Sequence, residues 1–309
     1  MDRHLRKPSW LKISISSEAN YRITSETIER AALHTICSSG RCPNQAECWS
    51  RGTATFMIGG NECTRACRFC GTAFNKCPAP LDPEEPRRVA ESVQRMGLRY
   101  AVVTSVDRDD LPDGGAAHWA ETVKAIRKSS PTTTIELLIP DFGGDLHAVD
   151  RVLEAEPDVV GHNLETIRRL TPTIRHRATY DTSLRVLKHI ADSGFVAKSG
   201  IMVGLGETEA EVVELFGDCL QNGVSTLTIG QYLRPSKHQT PVVEYVHPDQ
   251  FARYKQLGEK MGLAHVESGP LVRSSYRADQ QFDAARSTHE KERIRLRDLC
   301  QPLSQATKE

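Results

Sequence analysis

The stretch YAVVTSVDRDDLPDGGAAHWAETVKAIRKSSPTTTIELLI, residues 100–139, carries the fold in miniature. Tyr100–Val106 is apolar and β-branched and predicts a strand. Ala116–Lys128 repeats its apolar residues at helical spacing, and Thr133–Ile139 predicts a second strand. Strand, helix and strand in this order make a βαβ unit.

The alternation extends in both directions. Upstream, Thr53–Ile58 predicts a strand, followed by a cysteine-rich loop and a helix over Pro86–Met96. Downstream, helices are expected over Ala148–Ala155, Ser183–Ser193, Glu209–Asn222 and Pro248–Met261. Strands are expected over Asp158–His162, Val196–Val203, Thr226–Gln231 and, briefly, Ala264–Glu267. The units recur every ~30 residues, the size of a βα pair. Six clear units and a candidate seventh imply a parallel α/β architecture. Alternation alone leaves open whether the sheet is doubly wound or a partial or full barrel. The chain divides into an extension over residues 1–52, a βα repeat over 53–270 and a second extension over 271–309. The last of these includes a charged helix or tail, Thr288–Leu299.

Composition narrows the function. The 309 residues are 39% hydrophobic and 26% charged, enough apolar material for a large core. Forty basic residues balance forty acidic ones, which argues against bulk polyanion binding and leaves room for a local basic patch. No run of about 18 apolar residues predicts a membrane span. MDRHLRKPSW has no apolar h-region, so no secretory signal is expected and the expected location is cytoplasmic.

Nine cysteines are present, seven of them between residues 37 and 77. An odd number in a chain of this length argues against a disulfide framework and for metal or redox chemistry. Cys63, Cys67 and Cys70 form C-x3-C-x2-C in a loop after the first predicted strand. In a β/α barrel that loop lies on the active face. Three thiolates at this spacing suit three corners of an iron–sulfur cube with one iron open. A closed zinc site needs a fourth ligand, for which Cys77 is available. Cys37, Cys42 and Cys48 form a second set, C-x4-C-x5-C, which His34 could complete as Cys3His for zinc.

The first of these spacings, with an aromatic at Phe69 before the last cysteine, resembles the radical S-adenosylmethionine superfamily. The two sets together resemble the lipoyl synthase family. The likeness also runs through PNQAECW (43–49), ATFMIGG (54–60), the segment 85–116, ELLIPDF (136–142), HNLET (162–166), VGLGET (203–208), QYLRPS (231–236) and GPLVRSSYRA (269–278). The resemblance implies a full or partial barrel and two 4Fe–4S clusters. One is held by Cys63, Cys67 and Cys70, with S-adenosylmethionine on its open iron. The auxiliary one is held by Cys37, Cys42, Cys48 and the second serine of RSSY, Ser275. Left to itself, Ser274–Ser275 reads as a turn or a helix cap. A serine oxygen is a hard donor and a weak partner for a thiophilic cluster, which suits a cluster that is consumed.

The resemblance further implies a cofactor pocket along the strand ends. Asp113, Gly114 and Gly115 form the glycine-rich turn expected to meet the methionyl amino group. The turn reads GGA where the superfamily more often has GGE, so its third position offers no carboxylate. Asn163 and Glu165 are candidates for the ribose or the amino group, and Lys198 for the carboxylate. Gly200-x-Met202-x-Gly204-x-x-Glu207 approximates a GxIxGxxE segment that flanks the adenine. The implied reaction is sulfur insertion at C6 and C8 of an octanoyl chain linked to a carrier lysine, with the auxiliary cluster as donor. The implied partners are octanoylated lipoyl carrier domains, of 2-oxoacid dehydrogenase E2 or glycine cleavage H protein type, and a ferredoxin or flavodoxin-type reductant. Neither nucleic acid nor membrane is expected.

Arg168, Arg169, Arg175, His176 and Arg177 form a basic stretch that reads either as a solvated face or as a docking patch for an acidic carrier. Cys77, Cys219 and Cys300 read as bystanders. The competing readings are a biotin-synthase-like radical sulfurtransferase, a two-cluster electron-transfer protein and a zinc-stapled binding module.

Overall fold

The computed structural model describes residues 6–12, 19–175 and 177–283. His176, Cys300 and the charged stretch Thr288–Leu299 lie outside the described residues. The strands are β1 (His34–Thr35), β2 (Thr55–Ile58), β3 (Glu62–Cys63), β4 (Ala73–Phe74), β5 (Tyr100–Ser105), β6 (Thr134–Leu138), β7 (Val159–Gly161), β8 (Val196–Val203), β9 (Thr226–Gln231) and β10 (His265–Gly269). The helices are α1 (Ala19–Arg30), α2 (Ile36–Ser39), α3 (Gln45–Ser50), α4 (Glu85–Arg95), α5 (Ala116–Ser129), α6 (Leu146–Leu153), α7 (Thr171–Ile174), α8 (Tyr180–Asp192), α9 (Glu209–Gln221) and α10 (Pro248–Met261).

The order in the main sheet is β1-β2-β5-β6-β7-β8-β9-β10. Every neighbouring pair is parallel except β1 with β2. A doubly wound sheet reverses its order at a switch point, and this one does not. The sheet is therefore wound in one direction as a partial barrel, with β1 and β10 at its edges. Local chemistry supports each βα junction. Thr208 and Glu211 form a reciprocal capping box at the start of α9. Pro248 sits in the first turn of α10, and Gly262 ends that helix at φ 121°.

The strands bury both faces, but the faces differ. Ala101, Val103, Ile135, Leu137 and Val160 join the helices in one core cluster, and Ile201, Val203, Leu227 and Ile229 join a second. The alternate positions face the lumen and are often polar: Thr55, Tyr100, Thr104, Glu136, Lys198, Thr226 and Thr228. The Lys198 Nζ lies 2.7 Å from a Glu136 oxygen, with both side chains under 5% exposed. The Tyr100 hydroxyl donates to the other Glu136 oxygen. Lys198, three residues into β8, thus has Glu136 as its ion-pair partner. Lys198→Met should cost about 3–5 kcal/mol, the cost of stranding a buried charge, read from urea unfolding. A lysine serving only the cofactor would leave stability unchanged.

The N-terminal segment forms α1, β1, α2 and α3, which the sequence pattern does not predict. α1 packs on α3 through the Tyr21 and Trp49 rings and through the Thr24 hydroxyl, which donates to the Trp49 carbonyl. The segment after β10 returns to the opposite sheet edge. Asn44 Nδ2 donates to the Leu271 carbonyl at 2.6 Å, and the Thr55 hydroxyl on β2 donates to the Ser275 hydroxyl at 2.8 Å. Tyr276 and Arg277 reach Glu47 at 3.2 and 3.4 Å. Gly230 makes this return possible, since a side chain there would meet the Val272 carbonyl at 2.1 Å.

Candidate active site

Cys63 ends β3, and Cys67 and Cys70 follow in the loop to β4. The Cys63 sulfur accepts the backbone N–H of Arg65 at 3.4 Å and of Asp107 at 3.3 Å. The Cys70 sulfur accepts the Thr72 N–H at 3.4 Å. Burial, then the Asp107 carboxylate, pushes the Cys63 thiol up to about 12. Burial also pushes Cys67 up to about 12, against the pull of Arg175. Thiols held neutral in this way ionise on coordination, because the metal displaces the proton. The Phe69 ring packs over the barrel mouth with Ile174, Leu205, Tyr232 and Met202.

One buried cation anchors this loop. Arg65 is 3% exposed at its side chain and meets Asp109 at 2.7 Å, Asp141 at 2.7 Å and Asp107 at 3.2 Å. Burial opposes its charge, but the three carboxylates hold the guanidinium protonated well above its ordinary range. Each carboxylate comes from a loop after β5 or β6, so the loop is tied to two strand ends at once. A second clamp holds Gly59, just before the loop. Its N–H donates to Glu85 at 2.8 Å, and its carbonyl accepts from Arg108 at 3.2 Å. The Glu85 carboxylate also meets His118 Nε2 at 2.6 Å. Sequence reasoning missed both devices. The available signal was the run VDRDDLPD directly after a strand, opposite an arginine inside the cysteine motif.

The second set converges on Ser275. Cys37 lines the same cavity wall as Thr55, the residue whose hydroxyl donates to Ser275 at 2.8 Å. Cys37, Cys42, Cys48, Arg273 and Ser275 line one cavity of about 810 Å³. Burial, then Cys37 and Cys42, pushes Cys48 up to about 12. Burial followed by Cys37 raises Cys42, which the Arg273 guanidinium draws down. Among the described residues, no three His, Cys, Asp or Glu side chains converge to the spacing of one bound ion. The thiols are nonetheless near enough to raise one another's pKa. Cys77 is exposed, and Cys219 is buried in α9 without a ligand partner among the described residues. Ile36 packs against the cluster of Met57, Cys63 and Val106, and a side chain at Gly71 would meet the Ser39 carbonyl at 3.3 Å, so the two cysteine segments lie side by side.

The residues expected along the cofactor pocket divide by what they already bind. Asp113 accepts the N–H groups of Gly115 and Ala117 at 2.9 Å and so caps α5. Gly114 and Gly115 take φ of 59° and 88°, the left-handed region that glycine favours. The Glu207 carboxylate accepts the N–H groups of Gly204 and Leu205, at 2.5 and 2.9 Å, and holds the turn after β8. Gly204 has φ 95°, and a side chain there would meet Gln231 and the Glu244 carbonyl. Asp113 and Glu207 therefore act first as turn-builders, because each carboxylate lies beside unpaired N–H groups of its own chain segment. Asn163 Nδ2 donates to Glu165 at 3.0 Å and to Ser274 at 2.8 Å, linking the HNLET turn to the RSSY segment. Glu165 adopts φ 66°, an uncommon conformation for a non-glycine residue, and burial raises its carboxyl.

Three arginines of the basic stretch pair with carboxylates of their own chain. Arg168 pairs with Asp181 at 2.5 Å, Arg169 with Glu211 at 2.6 Å and Arg177 with Asp109 at 3.1 Å. Arg175 is buried and donates to the carbonyls of Asn163 and Leu164 at 2.7 and 3.3 Å. It supports the HNLET turn and presents nothing for a partner to dock on.

Residues 57–219 match the radical SAM superfamily. A lipoyl synthase of Parabacteroides distasonis is 58% identical over 280 residues, covering 91% of this chain and 99% of that protein. One of Treponema denticola is 55% identical over 275 residues, covering 89% and 94%. Two solved structures share the fold at low identity. HydG, a maturase of the [FeFe]-hydrogenase, has TM-score 0.55 at 16% identity, over 77% of this chain and 61% of its own. SuiB of Streptococcus suis, bound to its precursor peptide SuiA, has TM-score 0.54 at 12% identity, over 86% and 58%.

Proposed function

Because the chain belongs to the lipoyl synthase family of the radical SAM superfamily, we propose that it converts protein-bound octanoyl-lysine into protein-bound lipoyl by placing sulfur at C6 and C8. The substrate arrives on a lipoyl carrier domain of E2 or H-protein type, and a ferredoxin or flavodoxin-type protein is the reductant. An alkyl C–H has no useful acidity, so the hard step belongs to the cofactors. When bound, the cluster at Cys63, Cys67 and Cys70 supplies an electron to S-adenosylmethionine for hydrogen abstraction, and the auxiliary cluster at Cys37, Cys42, Cys48 and Ser275 supplies sulfur.

The chain's own residues set the geometry for that chemistry. Arg65 and its three carboxylates fix the cysteine loop against the ends of β5 and β6. Phe69 and its apolar neighbours keep water from the mouth. Asn163 holds Ser274, and hence its neighbour Ser275, at a fixed distance from Glu165. In this reading residues 1–52 and 271–309 are cluster-bearing extensions of a catalytic unit over 53–270. The single observation that carries the reading is the shared cavity of Cys37, Cys42, Cys48 and Ser275, with Ser275 held there by the Thr55 hydroxyl across 220 residues of sequence.

The test is the intact mass of an octanoylated carrier domain after anaerobic incubation with reconstituted protein, S-adenosylmethionine and reductant. A gain of two sulfurs with loss of two hydrogens is expected. Release of 5′-deoxyadenosine with an unchanged carrier would keep the radical chemistry and remove the substrate.

A further inference from the structure

We propose that the face where the two cysteine segments meet the β9–α10 loop is the docking surface for an acidic carrier domain. This inference rests on the function proposed above. Three pieces of chain converge there. Arg41, from the first cysteine segment, donates through Nη1 to the Pro235 carbonyl at 3.1 Å. The Arg68 carbonyl, from the second, accepts the Thr240 N–H at 2.8 Å, and Gln239 donates to the Cys70 carbonyl at 3.1 Å. Gly71 is closed in from both sides, since a side chain there would meet Pro235 at 3.2 Å and the Ser39 carbonyl at 3.3 Å.

Each piece brings an exposed cation to this junction: Arg41, Arg68 and Lys237. Among the described residues none of the three forms an ion pair. The contrast with Arg168, Arg169 and Arg177 is direct, because those guanidinium groups face carboxylates of their own chain. The whole chain is neutral, so three unpaired cations in one place are a local surplus. Such a patch attracts and orients an anionic surface, acting mostly on encounter and register. Its position selects the partner. A domain seated over Arg41 and Arg68 lies against residues that directly adjoin Cys42 and Cys67, one from each cysteine set.

The experiment compares two substrates: an octanoylated carrier domain with an acidic surface, and a short octanoyl-lysyl peptide without acidic residues. The reconstituted protein is taken unaltered, as Lys237→Glu and as the triple variant Arg41→Glu, Arg68→Glu, Lys237→Glu. The triple variant should raise the apparent KM for the carrier about tenfold or more at low salt, and added salt should shrink the difference. Lys237→Glu, whose side chain makes no hydrogen bond among the described residues, should raise it about two- to threefold. Turnover of the peptide should be unchanged in both. An unchanged carrier KM in Lys237→Glu and the triple variant would overturn the docking surface and leave the function standing. So would a loss in the triple variant that is equal for carrier and peptide while Lys237→Glu stays silent. If the triple variant does not fold, Lys237→Glu decides alone. Unaltered protein that converts neither substrate would remove the proposed function, and the docking surface with it.

Discussion

Cys67→Ala is expected to abolish reductive cleavage of S-adenosylmethionine, by a factor on the order of 10³ or more, since no other group on the chain does this chemistry. The position leaves little room for substitution. Cys67 lies between Arg65, locked by three carboxylates, and Phe69, packed into the barrel mouth. The loop cannot slide to bring another ligand into its place. Cys77, the nearest spare thiol in sequence, is exposed beyond β4. The auxiliary site is built from other segments, α2, α3 and the return after β10, so its iron absorbance should persist in the variant. The checks are 5′-deoxyadenosine release and the absorbance of the reconstituted protein. Cleavage at the unaltered rate would remove Cys67 from the ligand set.

Ser275→Ala should have the complementary outcome. S-adenosylmethionine cleavage continues, while lipoyl formation falls at least about tenfold as the auxiliary cluster loses its oxygen ligand. Were Ser275 only a structural hydroxyl, the loss would be its bond to Thr55, worth about 1 kcal/mol of stability, with lipoyl yield intact. Ser275→Cys separates the two roles further. A thiolate is a softer and better iron ligand, so the cluster should be retained while its sulfur is released more slowly. The measurements are iron and sulfide content beside lipoyl yield. A normal yield from Ser275→Ala would end the assignment.

The unevenness of what was legible in the sequence has physical causes. The boundaries of β8, β9 and α10 are those expected from periodicity, because each is a period-2 or period-3.6 pattern with local caps. The short segments α2 and α3 carry no such pattern. Their shape comes from contacts with α1, β2 and the distant residue Leu271. The cofactor-pocket expectations for Asp113, Glu207 and Lys198 met a different difficulty. A polar residue at a strand end reads alike whether its partner is a ligand, a backbone N–H or a carboxylate two strands away. Asp113 and Glu207 bind N–H groups within four residues, and Lys198 binds Glu136 across the lumen.

The sequence by itself determined the βα repeat, the two cysteine sets and the family, since these are written in contiguous residues with fixed spacing. Tertiary structure decided the rest. It wound the sheet in one direction and left it open between β1 and β10. It carried Ser275 across that opening to Thr55 and the cavity that Cys37 lines, and assigned Arg168, Arg169 and Arg177 to carboxylates of their own chain. Arg41, Arg68 and Lys237 were left facing solvent. A charge acquires its role from what stands within about 4 Å of it, and that neighbour is set by the fold rather than by adjacency along the chain.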